Sequence, residues 1–180
     1  MKIMFASDIH GSSYYCEKMI EAYKKEKADR LVLLGDLLYH GPRNDLPREY
    51  EPKKVIAMLN YLREDICAIR GNCDAEVDQM VLEFPIMAEY CIILYENHTI
   101  YASHGHNYNY ENLPPIKSGD IFIQGHTHIW KAENLNGNIL LNPGSISLPK
   151  ENNEQTYGII ENGEFLIKNF DNEIVKKLKL

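Results

Sequence analysis

Six short apolar runs, each halting at a polar motif, constrain this chain more than any other feature in it. "KIMFAS" halts at "DIHG", "RLVLL" at "GDLLYHGP", "ICAIR" at "GNCD", "HTIYAS" at "HGHN", "IFIQ" at "GHTH" and "NILLN" at "PGS". Runs that are apolar throughout fit strands covered on both faces. Helical spacing separates the early ones. In "SSYYCEKMIEAYKKEK", Cys16, Met19, Ile20 and Tyr23 recur at i, i+3, i+4 and i+7, with Ser12 or Ser13 placed to cap. Val55, Met58, Leu59 and Leu62 repeat that spacing in "EPKKVIAMLNYLRED", where Pro52 suits a first turn. "DAEVDQMVLEF" predicts a third helix. Strand and helix alternate over residues 1–85 and strands dominate after 90. The end, "TYGIIENGEFLIKNFDNEIVKKLKL", predicts a hairpin about "ENGE". The fold class that follows is α/β: two facing mixed β-sheets flanked by helices, in one domain over residues 1–180.

A chain of 180 residues can bury a sizeable core. Its net charge of -7 disfavours a general binder of nucleic acid or of anionic membranes, though bound cations would overrule that locally. The apolar run in "MKIMFASDIHG" is too short for a signal peptide, and no run approaches the roughly 18 apolar residues of a spanning helix. Cys16, Cys67, Cys73 and Cys91 form no C-x-x-C pair and read as reduced thiols of a cytoplasmic protein. The longest irregular stretch is "YHGPRNDLPREY", residues 39–50, and loops of that length in compact domains are more often functional than idle.

Of the seven histidines, His10, His104, His126 and His128 sit just past strand ends, in loops that also carry Asp8, Asp36 and Asn72. Ligands of open α/β sheets gather at the carboxyl ends of strands. Asp8 and His10 are two apart, as are His126 and His128. In extended chain i and i+2 face the same way, so each pair is expected to offer two ligands to one centre. Asp36 and Asn72 each follow a glycine, which permits tight turns and close approach. Nitrogen and oxygen donors without thiolate suit Mn²⁺, Fe, Zn²⁺, Ni²⁺ or Co²⁺. Seven such donors exceed one tetrahedral site and match two ions sharing a carboxylate. Singly, each residue has a plainer reading: Asp8 as a turn or cap, His10 as a satisfied polar group, Gly35-Asp36 and Gly71-Asn72 as turns. Their shared position at strand ends is what argues for a site. No Ser-His-Asp pattern, P-loop or G-x-G-x-x-G competes.

The order D-x-H, G-D, G-N-x-D, H-G-H and G-H-T-H, from Asp8 to His128 and followed by "NPGS" at 142–145, resembles the calcineurin-like metallophosphoesterase superfamily. The short length, "YHGPRN…LP" and "GNCD" are similar to its small YfcE-type phosphodiesterase branch. The resemblance implies an αββα sandwich. It implies that Asp8, His10 and His128 hold a first metal, Asn72, His104 and His126 a second, and that Asp36 bridges them. It implies two divalent ions, manganese foremost, a metal-bridging hydroxide as nucleophile and small phosphodiesters as substrates. Catalytic roles then fall to Asn72, Cys73, Asp74 and His104.

Many members of that family carry a histidine, paired with the following acid, where this chain has Cys73 and Asp74. A thiol is a weak donor and never a cation. Its presence is expected to favour diesters, or esters of acidic alcohols, over alkyl monoesters. Cys73 reads either as that substrate-facing group or as a small packing residue. His106, Arg43 and Tyr39 are further candidates for the substrate side, each with a plain alternative, and His106 could exchange with His104 as ligand. His40, Arg48, Tyr108 and Tyr110 carry the same two readings, and His98 reads as a surface residue.

Two alternatives come from the same fold. One is a phosphomonoesterase or nuclease, which the acidic charge disfavours in its nuclease form. The other is a non-catalytic protein-binding scaffold, as in one branch of the fold. Retention of His10, His104, His126 and His128 favours an active site. No stable nucleic-acid or membrane partner is expected, and a homo-oligomer through a sheet edge or apolar patch is compatible with the reading.

Overall fold

Ile3, Phe5, Val32 and Leu34 point to one side of their sheet and Met4, Ala6, Leu31 and Leu33 to the other, and all eight are buried. That is the alternation of strands with no exposed face. The computed structural model describes residues 1–180. The first half alternates: β1 (Ile3–Ala6), α1 (Ser13–Glu26), β2 (Arg30–Leu33), α2 (Pro52–Tyr61), β3 (Ile66–Ala68) and α3 (Glu76–Gln79). Eight strands follow: β4 (Tyr90–Tyr95), β5 (His98–Ser103), β6 (Ile121–Ile123), β7 (Lys131–Leu135), β8 (Asn138–Asn142), β9 (Thr156–Glu161), β10 (Glu164–Asn169) and β11 (Ile174–Lys179).

Two mixed sheets face each other, as the sequence predicts. The six-stranded one runs β11-β10-β9-β1-β2-β3 and the five-stranded one β4-β5-β6-β8-β7. β1, β2 and β3 are mutually parallel, as are β5, β6 and β8. Their carboxyl ends therefore open into loops at one end of each sheet. Between the sheets lies a core that includes Phe5, Ile69, Ile100, Ile121, Ile139 and Phe165.

A second core lies under the helices. Ser12 Oγ accepts from Tyr15 N at 3.3 Å and starts α1, while Lys27 in the left-handed region (φ 53°) ends it. Cys16, Met19 and Tyr23 are its buried face. Pro52 opens α2, which buries Val55 and Leu59. Both helices cover the six-stranded sheet. The outer face of the other sheet carries a loop instead: Tyr110 packs on Phe122, ring centroids 6.0 Å apart, and its hydroxyl donates to Leu141 O at 2.8 Å. No helix is long and apolar enough to cross a membrane.

One expectation needs correction. The third helix shrinks to the single turn α3. Beyond it Leu82, Phe84 and Ile86 are buried while Val81, Glu83 and Pro85 are exposed, a period of two that belongs to extended chain. Pro85 disfavours helix at Phe84, and the Gln79 amide supplies the missing partners. Its Nε2 donates to Leu82 O (3.1 Å) and Phe84 O (3.0 Å), and its Oε1 accepts from Ile86 N (2.9 Å). At the carboxyl end the predicted hairpin forms about Asn162-Gly163, and β11 adds a third strand beyond it. Exposed Lys176, Lys177 and Lys179 charge that outer edge, which discourages pairing with another chain.

Candidate metal centre

Seven side chains from five strand-end loops converge at one end of the sandwich. Asp8 and His10 follow β1, Asp36 follows β2, Asn72 follows β3, His104 follows β5, and His126 and His128 follow β6. Five of them hold left-handed backbone: Asp8 (φ 59°), His10 (50°), Asp36 (56°), His126 (65°) and His128 (61°). Each such residue costs about 1–3 kcal/mol and persists only because its surroundings enforce it. The i, i+2 argument for these pairs is thereby corrected. The chain at 8–10 and 126–128 turns rather than runs extended, and His126 and His128 diverge into different groups.

The first group is Asp8, His10 and His128. His128 Nε2 stands 3.4 Å from Asp8 Oδ1 and 3.3 Å from His10 Nε2. The second is Asp36, His104 and His126, with His104 Nε2 3.2 Å from His126 Nδ1 and 3.1 Å from Asn72 Oδ1. Asp36 Oδ2 lies between the two, 3.6 Å from His10 Nε2 and 3.5 Å from His104 Nε2.

Backbone carbonyls set the ring orientations. The Nδ1 atoms of His10, His104 and His128 lie 2.8, 2.6 and 2.5 Å from the carbonyls of Tyr39, Leu34 and Leu148. Each therefore donates its Nδ1–H there and aims Nε2 inward. Asp8 Oδ1 is buried and has no hydrogen-bond donor. An orphaned buried carboxylate oxygen among inward-aimed imidazole nitrogens is a donor set that fits a divalent cation.

The electrostatics agree. Burial pushes Asp8 and Asp36 upward, but the imidazoles of His128 and His104 outweigh it and hold both carboxyls below their usual range. Burial likewise opposes charge on His104, yet Asp36 and Asp8 win and carry its pKa up to about 9. The same contest leaves His128 raised, through Asp8, and His10 lowered, because burial prevails. Burial also lowers His126 and His106.

A family model described as the calcineurin-like phosphoesterase superfamily domain matches residues 1–164. The chain belongs to the calcineurin-like phosphoesterase superfamily. It is 47% identical over 162 residues to the phosphodiesterase YfcE of Escherichia coli strain K12, covering 90% of this chain and 88% of that one. A solved structure of YfcE, a phosphoesterase from E. coli, superposes with TM-score 0.97 at 43% identity over 99% of each chain. A Vps29 single mutant from Entamoeba histolytica shares the fold, with TM-score 0.68 and 20% identity over 100% of this chain and 99% of that one.

In this calcineurin-like phosphoesterase the two donor groups open into a cleft of about 390 Å³. Asp36, Asn72, Cys73, His126 and His128 line it, as the sequence predicts, and so does Arg43. Cys73 N donates to Asp36 Oδ1 at 2.8 Å, and its Sγ accepts from Asn72 Nδ2 at 3.3 Å. Burial and the Asp36, Asp74 and Asp8 carboxylates push the Cys73 thiol up to about 12, so it is a neutral S–H near pH 7. His106 packs at the edge of the second group, 5.4 Å from His104 between ring centroids.

Other candidates fall elsewhere. Asp74 does not face the cleft: its buried carboxylate accepts from the backbone N–H of Asp36 (2.8 Å), Leu37 (2.8 Å) and Gly71 (2.7 Å). It ties the Asp36 loop to the Asn72 loop, which corrects its assignment to catalysis. Tyr39 turns its ring against His40, outside the cleft lining, and serves through its carbonyl. Arg48 lies over the Tyr14 ring at 3.6 Å.

Sequence reasoning missed four supporting residues of this phosphoesterase fold. Ser145 and Ser147 donate their hydroxyls to Asp8 O at 3.1 and 2.7 Å. Asn142 Nδ2 donates to Gly125 O (2.9 Å) and Thr127 Oγ1 (3.1 Å), bracing the His126–His128 turn. Lys150 lines the cleft. "NPGSISLPK", directly after a strand, is the signal that held all four.

Proposed function

We propose that this chain hydrolyses small phosphodiesters with two divalent ions held at the strand ends. The observation that carries the reading is the place of Asp36 Oδ2, within 3.6 Å of His10 and 3.5 Å of His104, between two separate donor groups. Asp8, His10 and His128 would hold one ion, Asn72, His104 and His126 the other, and Asp36 both. Bound there, divalent ions make hydroxide available near neutral pH and offset charge building on the phosphate. The chain's own residues orient and exclude. Tyr39, Leu34 and Leu148 lock the imidazoles, Asp74 fixes the Asp36 loop, and Asn72 and Cys73 face the substrate side of the cleft. A neutral thiol there protonates poor leaving groups badly, so diesters with acidic leaving alcohols are favoured. The nitrogen and oxygen donors suit Mn²⁺, and Zn²⁺, Ni²⁺, Fe or Co²⁺ meet the same set. We place the protein in the cytoplasm, where its four free thiols would remain reduced.

The test is turnover of bis(p-nitrophenyl) phosphate by protein loaded with Mn²⁺, alongside metal analysis. Two ions per chain, turnover abolished by chelation, and loss of at least about 100-fold in Asp36→Asn support the reading. Two bound ions with no turnover would favour the protein-binding scaffold.

A further inference from the structure

The cleft wall holds two cations that the metal-ligand groups do not use. Arg43 belongs to the 39–50 loop, two residues after Gly41, where a β-carbon would lie 3.1 Å from Cys73 Sγ. Lys150 follows β8 and donates its backbone N–H to His128 O at 3.1 Å. One cation thus approaches from the Cys73 side and the other from the His128 side. Both are exposed, and neither has a carboxylate within ion-pair distance.

The rest of the lining says what those cations can meet. Only Pro42 and Cys73 interrupt its polar lining, and no aromatic ring other than imidazole borders it. A nucleobase would find no stacking platform and a lipid chain no apolar wall. Charge narrows the choice further. Two divalent ions would more than neutralise Asp8 and Asp36, so the loaded cleft would be positive before Arg43 and Lys150 are counted. The whole chain is net -7, so this concentration of positive charge is local. A simple diester brings one negative charge, placed at the ions, which leaves Arg43 and Lys150 without a counter-charge.

We infer that Arg43 and Lys150 form an anion subsite on the rim of the cleft, and that the preferred substrate is a small phosphodiester carrying a second anionic group on one arm. The inference rests on the phosphodiesterase reading above and names its substrate class. Arg43 would grip a carboxylate or phosphate through its planar fork and Lys150 as a mobile point charge.

Two esters test it: methyl p-nitrophenyl phosphate and 2-carboxyethyl p-nitrophenyl phosphate. They share a leaving group and differ by one carboxylate. With Mn²⁺-loaded protein, kcat/KM for the carboxyethyl ester is expected to exceed that for the methyl ester about tenfold, mainly through KM. Arg43→Ala and Lys150→Ala each reduce that ratio, the double variant brings it near one, and Arg43→Lys with Lys150→Arg retains most of it. Added salt compresses the ratio in the wild type. A wild-type ratio near one, or an unchanged ratio in the double variant, would overturn the subsite and leave the phosphodiesterase reading standing. A p-nitrophenyl monoester that outpaces both diesters would overturn the choice of a diester. Turnover of neither ester would overturn the parent reading, and the subsite with it.

Discussion

His10 and His128 aim their Nε2 atoms at each other across 3.3 Å, and both have already committed Nδ1–H to a backbone carbonyl. Two lone pairs at that distance repel unless a positive charge sits between them. Asp8 Oδ1, 3.4 Å from His128 Nε2, adds a third electron-rich atom to the same point. A divalent ion at that point would satisfy all three donors at once.

Metal should therefore stabilise the fold. Mn²⁺ at about 100 times its Kd contributes about 2.7 kcal/mol, a rise of roughly 5–10 °C in Tm for a domain of this size. Differential scanning fluorimetry with and without chelator checks it. His128→Ala is expected to remove most of the Mn²⁺-dependent part; a full metal shift in that variant would exclude His128 as a ligand.

Gly71 tolerates no side chain. A β-carbon there would lie 2.1 Å from Asp36 Oδ1 and 2.3 Å from Asp36 N. Gly71→Ala must push the Asp36 loop aside, at a cost of about 1–3 kcal/mol. Displacement of the shared carboxylate is expected to lower kcat about 100-fold. Denaturant melts and steady-state rates measure the two effects separately.

Asp74 acts through position. In Asp74→Asn one of the two acceptor oxygens becomes an NH₂ group that faces the N–H of Leu37, or those of Asp36 and Gly71, leaving at least one buried N–H unpaired. We expect a loss of about 2–3 kcal/mol in stability. The proposed metal ligands stay chemically intact, so excess Mn²⁺ should recover part of the lost turnover. If Asp74→Asn keeps wild-type stability, the clamp is not as described.

Cys73 separates leaving groups. Replacing it with alanine should depress turnover of alkyl esters more than that of aryl esters, and Cys73→His should raise the alkyl-to-aryl ratio of kcat/KM about tenfold. The assay compares p-nitrophenyl and methyl leaving groups under one metal. A Cys73→Ala variant that leaves every substrate unchanged would reduce Cys73 to packing.

Stability should fall in acid through Glu26, far from the cleft. Its carboxyl ends α1 and is bound by Lys2 Nζ (2.6 Å), Lys168 Nζ and the Tyr157 hydroxyl (3.1 Å), with its side chain 7% exposed. Burial opposes its charge, but Lys168 and Lys2 outweigh that and hold its pKa below the ordinary 4.5. The contribution is thus present above pH 4.5 and disappears as pH drops through the lower folded value. Glu26→Gln should cost about 2 kcal/mol at pH 7 and progressively less below pH 4.5, read from urea melts across pH.

Local apolar pattern made most of the frame legible. β1, β2 and β6 are apolar on both faces, and α1 shows its buried stripe at i, i+3, i+4 and i+7. The segment after Asp74 misled because Val77, Met80 and Val81 mimic a helical stripe yet are exposed. The burial that counts there is the alternation Leu82, Phe84, Ile86. At the site, ligand types and their place after strands could be read directly. The division of His126 from His128 could not be read from local spacing, because Asp8 and His10 show the same two-residue spacing and the same positive φ yet share one donor group. Nor could the inward face of Asp74, since only the folded backbone supplies its three donors.

The left-handed conformations at Asp8, His10, Asp36, His126 and His128 tilt the chain's evolutionary prospects. Glycine and asparagine occupy such backbone with less strain than histidine does. Exchanging His10, His126 or His128 for either would relax the polypeptide while silencing turnover. A gene copy freed from selection for chemistry would drift downhill toward a sturdier, inert platform with the same shape, and keeping the enzyme alive requires continuous purging of those changes.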